Sequence, residues 1–113
     1  MLPEPVTVPG ERIFEFVTAA DDQSYGLAVA EIQESQPHWH DRTRECYTLL
    51  RGRVEVFVDG KPTTLERFGD RIVIPPGVPH WAKSCGVEPA TIAVLSEPAW
   101  NPADHHLVEP ATR

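Results

Sequence analysis

Residues 38–45 read His-Trp-His-Asp-Arg-Thr-Arg-Glu, and residues 69–80 answer them with Gly-Asp-Arg-Ile-Val-Ile-Pro-Pro-Gly-Val-Pro-His. Side chains alternate faces along a strand, so residues two apart share a face. His38 and His40 therefore point the same way. Glu45 opens the next apolar run and His80 opens a later one. If those strands are neighbours, three imidazoles and one carboxylate converge. Such a set is a common site for a first-row transition metal, with positions left open for substrate or oxygen.

The runs on either side alternate in the same manner. Residues 12–18 (RIFEFVT) place Ile13, Glu15 and Val17 on one face and Phe14 and Phe16 on the other. Residues 25–34 set Leu27 and Val29 against Ala28, Ala30 and Ile32. Residues 45–50 put Glu45, Tyr47 and Leu49 together and turn Cys46 away. Residues 53–58 group Val54, Val56 and Val58, with Glu55 and Phe57 opposite. Asp59-Gly60 is a strong hairpin signal that returns the chain through residues 61–66. Residues 70–74 lead into a loop with Pro75, Pro76 and Pro79, after which His80, Ala82 and Ser84 share a face. Residues 90–96 form the last clear run. About eight short strands and no amphipathic helix argue for an all-β sandwich or barrel.

The termini have a different texture. Residues 1–11 carry Pro3, Pro5, Pro9 and Gly10 and read as an extended arm, either loose or packed on a partner subunit. Residues 98–113 hold three prolines, Trp100 and the pair His105-His106. They read as a segment with little strand character, a short helix or an irregular strap over the barrel, with the two histidines in a polar tail.

Composition narrows the function classes. The chain has 113 residues, which predicts one domain, and a net charge of −7. That acidity argues against nucleic acid or an anionic membrane as partner. No apolar run reaches the length of a membrane span. The start lacks the basic and apolar regions of a secretory signal, and Cys46 and Cys85 do not make a disulfide framework, so a cytoplasmic protein with reduced thiols is expected.

Taken together the two motifs resemble those of the cupin superfamily. The first, H-x-H-x(3,4)-E-x6-G, stands here as His38, His40, Glu45 and Gly52. The second, G-x5-P-x-G-x2-H-x3-N, stands as Gly69, Pro75, Gly77 and His80, with Ser84 in place of the asparagine. Ile32 replaces a leading glycine. The resemblance spans roughly residues 25–97. It implies a jelly-roll β-barrel, one divalent metal (Fe, Mn, Ni, Zn or Cu) held by His38, His40, Glu45 and His80, and a homodimer.

Around that set, Tyr47 shares the face of Glu45. It is the candidate general acid, with an amphipathic residue of the cavity wall as the preferred reading. Trp39 and Trp81 should face away from the ligands. Asp41, Arg42 and Arg44 read as solvated loop charges, with contact to a ligand histidine or to an anionic substrate as the sharper alternatives. Cys46 reads as a packed small side chain. The expected function is a metal-dependent enzyme acting on a small oxygen-bearing organic substrate, as a dioxygenase, isomerase or epimerase, or lyase. A metal-loaded module that binds or senses a small ligand is the alternative.

Overall fold

The structure is a computed structural model and describes residues 2–108. Its strands are β1 (Val6–Val8), β2 (Glu11–Val17), β3 (Gly26–Ile32), β4 (His38–Trp39), β5 (Arg44–Arg51), β6 (Val54–Val58), β7 (Lys61–Leu65), β8 (Arg71–Ile74), β9 (His80–Ser84), β10 (Ala90–Glu97) and β11 (His106–Leu107). They form two antiparallel sheets, in the orders β1-β2-β3-β10-β5-β8 and β11-β4-β9-β6-β7. The expected jelly roll is thus two facing sheets rather than one continuous ladder. Among the described residues, helical structure is limited to two 3-10 turns, Ala19–Asp21 and Pro102–Asp104, and no helix is long and apolar enough to cross a membrane.

Alternation decides what lies between the sheets. Ala30, Ile32, Leu49 and Ile92 project from the six-stranded sheet, and Val54, Val56 and Ala82 from the other. All are buried. On the outer face of the five-stranded sheet, Phe57 stacks on Trp81 at 4.0 Å between ring centroids, in the register that pairs them. On the outer face of the six-stranded sheet, the registers align Leu27, Leu95, Cys46 and Val73 in one row across four strands. Cys46 is half-buried in that row, with no disulfide partner.

Two expectations about the termini are corrected. The arm at residues 1–11 is not a loose extension. Val6–Val8 pairs with Glu11–Ile13 as the sixth strand of the larger sheet. The prolines sit just outside that short ladder, at positions 5 and 9, so none of its amides is missing, and β-branched Val6, Thr7 and Val8 suit a pleated edge. Gly10 closes the turn at φ +79°, where an added Cβ would run into the Glu34 carbonyl, and its own carbonyl accepts the Gln33 N–H at 2.9 Å. The C-terminal segment is the strap, and its histidines are not a free polar tail. Residues 106–107 pair with β4. Residues 109–113 of the segment lie outside the described residues.

The two departures from the cupin motifs are absorbed locally. Ser84 ends β9 by donating to the Glu88 carbonyl at 2.5 Å and accepting the Gly86 N–H at 3.3 Å. Ile32 fills core space at the end of β3.

Candidate metal centre

Four side chains from three strands meet between the sheets. His38 comes from β4 and His40 lies just beyond it. Glu45 lies in β5, next to its first residue, and His80 begins β9. Register brings them together, since His38 pairs with His80 across the smaller sheet and Glu45 pairs with Ser96 in the larger. The loop before β9 is tied to the first motif. Gly77, at φ +80°, donates its N–H to the His40 carbonyl at 2.6 Å. A side chain there is strained in that left-handed conformation, which accounts for the motif glycine.

All four residues are buried, and one donor atom from each lies within 4.8 Å of the others. Backbone carbonyls fix the imidazoles. Nδ1 of His38 donates to the Gln36 carbonyl at 2.7 Å, Nδ1 of His40 to the Asp104 carbonyl at 2.9 Å, and Nδ1 of His80 to the Val78 carbonyl at 2.9 Å. A carbonyl only accepts, so each Nδ1 carries a hydrogen and each neutral ring keeps its lone pair on Nε2. This is how second partners prepare histidine ligands. Nε2 of His40 and of His80 then lie 3.1 and 2.9 Å from Glu45 Oε1. Lone pairs facing a carboxylate at that range require positive charge between them, as a proton or as a cation. The donor set fits one divalent transition-metal ion, with imidazole and carboxylate rather than thiolate ligands.

The electrostatics express the same demand. Burial works against the Glu45 carboxylate, but hydrogen bonds from His40 and His80 prevail and hold its pKa below the usual range. His40 is likewise opposed by burial, yet Glu45 raises it. His38 has no such partner. Burial, and then the charge of His80, push it down to about 4.

His38, His40 and Glu45 of the cluster line a cavity of about 300 Å³. Apolar walls come from Val6, Val8, Ile13, Ala28, Ala30 and Val94. Tyr47 lines it, as its shared face with Glu45 predicts. Burial, then Glu45 and Glu11, raise its hydroxyl well above 10, so it keeps its proton. Asp41, Arg42 and Arg44 do not line this cavity. Asp41 and Arg42 instead donate their amides to the Asp104 carboxylate at 2.7 and 3.0 Å. Trp39 faces away from the cluster, but it stacks on His106 of the strap at 4.3 Å.

Glu11, Trp100 and His105 were not expected in the cavity. Glu11 was assigned to the arm. It has the same parity as Ile13 and Glu15, and carrying the alternation back past Arg12 would have revealed it. Burial, then the charge of Glu45, raise its carboxyl to about 7, against the opposing charge of His80. Trp100 and His105 arrive from the strap. No local pattern announces them, because His105 meets His38 across more than sixty residues of chain and Trp100 arrives with it.

Comparison with known proteins places this architecture. The profile of the family described as Cupin domain matches residues 27–96. A comparison with curated protein sequences found no match. Among solved structures, Pac13 from Streptomyces, described as a unique nucleoside dehydratase, superposes with TM-score 0.80 at 16% identity, covering 94% of this chain and 84% of its own. A protein from Planctomyces limnophilus gives TM-score 0.80 at 23% identity, over 93% and 90% of the two chains. Ectoine synthase from P. lautus gives 0.74 at 13%, over 96% and 84%.

Proposed function

The chain belongs to the cupin family, and on that premise we propose that it is a metal-dependent enzyme that moves a proton on a small oxygen-bearing substrate, chemistry of the isomerase, epimerase or lyase kind. One observation carries this reading. A buried His38-His40-Glu45-His80 cluster opens on a cavity that also holds a carboxyl, Glu11, raised to about 7. The similar folds of a nucleoside dehydratase and of ectoine synthase support enzymatic use of such a cavity.

A divalent cation held by the four residues would supply Lewis acidity toward a substrate oxygen. The protein's own groups do the rest. Glu11, a carboxyl of the same cavity, takes a proton from carbon or returns one. Tyr47, protonated throughout, donates a hydrogen bond to developing negative charge on oxygen. The six apolar wall residues seat the carbon body of the substrate and exclude water.

The test begins with elemental analysis of protein purified without a tag or added metal, where about one metal per chain is expected. Small hydroxy and oxo compounds are then followed for deuterium exchange at carbon and for oxygen uptake. Exchange without oxygen uptake, lost in Glu11→Gln, supports the proposal. Oxygen uptake coupled to substrate loss would assign a dioxygenase instead. Tight ligand binding with neither signal would assign a binding or sensing module.

A further inference from the structure

A further histidine of the cavity is held the other way round from the four-residue cluster's three. His105 stacks on His38 with centroids 4.6 Å apart and planes 17° from parallel, and meets His40 edge-on at 5.3 Å. Its Nδ1 lies 3.2 Å from Trp100 Nε1. An indole nitrogen only donates. Nδ1 of His105 is therefore the acceptor, and the neutral ring carries its hydrogen on Nε2. His38, His40 and His80 have the opposite tautomer, set by their carbonyl partners.

That difference separates two roles. A ring with a free Nε2 lone pair suits a metal. A ring with Nε2–H does not, and it offers a hydrogen bond. Among the described residues His105 Nε2 has no protein acceptor, and no side-chain nitrogen lacking a partner is sealed from solvent in a buried or half-buried residue. Nε2–H is therefore accessible, in a residue that lines the cavity beside the cluster.

Resting on the metal-dependent reading above, we propose that His105 is a substrate-binding residue, which donates Nε2–H to an oxygen of a molecule held at the metal end of the cavity. The substrate class that fits carries two oxygens on adjacent atoms, one for the cluster and one for His105, with an apolar body along Val8, Ile13 and Ala30. Trp100 acts as a positioning residue through the tautomer it selects.

The test uses the full chain and acetohydroxamate, whose oxygens sit on adjacent atoms. Long-range proton–nitrogen NMR of the zinc-loaded protein reads the tautomers directly, and should show His105 protonated at Nε2 and the other three at Nδ1. Acetohydroxamate is then titrated into cobalt-loaded protein and followed by visible absorption. His105→Phe keeps a ring over His38 but removes the donor, and should weaken binding about tenfold or more with cobalt content unchanged. Trp100→Phe should give a mixed tautomer and a smaller loss. The proposal is overturned by an Nδ1–H tautomer at His105, by equal binding to wild type and His105→Phe, or by no binding to cobalt-loaded wild type. Absent cobalt uptake would overturn the metal reading and this proposal with it. Metal analysis before any probe is added distinguishes that outcome.

Discussion

Replacing Glu11 by glutamine should stabilise the metal-free protein, and increasingly so as pH rises. In the fold the Glu11 carboxyl is raised to about 7 from an ordinary 4.5. The unfolded chain therefore ionises first and releases its proton to solvent, whereas the folded chain retains it. Stability contributed by the protonated form is full below pH 4.5 and is lost as pH rises through 7. A tenfold difference in proton affinity between the folded and unfolded chain corresponds to about 1.4 kcal/mol. Between pH 5 and pH 8 the ionisable wild type should lose about 2.5 kcal/mol that the glutamine variant does not. Urea unfolding in the presence of a chelator measures both proteins at both pH values. The difference between the two gaps cancels any pH-independent effect of the substitution, and it corresponds to about 1–2 M in midpoint. A gain of equal size at pH 5 and pH 8 would refute the reasoning. Zinc added at pH 8 should narrow the gap, because a nearby cation favours the carboxylate.

Other perturbations test separate parts of the structure. His80→Ala should reduce bound metal to background while the chain stays folded, with about 1–3 kcal/mol lost from the buried hydrogen bond to Glu45. Tyr47→Phe should keep a full complement of metal by elemental analysis, and stoichiometric metal in His80→Ala would displace the assigned centre. Gly10→Ala should cost more than about 3 kcal/mol, because it adds a clash with the Glu34 carbonyl to an unfavourable φ. Gly60→Ala, at φ +78° in open space, should cost about 1 kcal/mol, and equal losses in the two variants by urea unfolding would contradict the packing of the N-terminal strand. Asp104→Ala should speed hydrogen exchange at the Asp41 and Arg42 amides it now binds, and unchanged exchange there would show that the strap is not latched by this residue.

The alternation of apolar residues was enough to decide the all-β architecture and which side chains face inward. Facing is a local property, because a strand reverses side-chain direction at each residue. The same rule placed Glu45 and Tyr47 together and turned Trp81 outward. The four-residue cluster was legible for a related reason. Its spacings reflect two loops that must hold His38, His40, Glu45 and His80 at one point, and those loops carry their own turn residues, Gly77 among them. The arm failed as a reading because its prolines were weighed without the pairing partner that makes Val6–Val8 a strand. A β-ladder is a long-range bond between segments, and local propensity does not contain it.

By itself, then, the sequence determined most of the strands, their inward faces and the four side chains that converge, all properties of spacing along the chain. Tertiary structure alone decided the rest of the cavity. Glu11, Trp100 and His105 reach it only because β2 and the strap come together around it. Their chemistry depends on that closure, for burial raises the Glu11 carboxyl and the Trp100 N–H selects the tautomer of His105. Desolvation and hydrogen-bond partnership are properties of neighbours in space, and those neighbours exist only once the sheets have met.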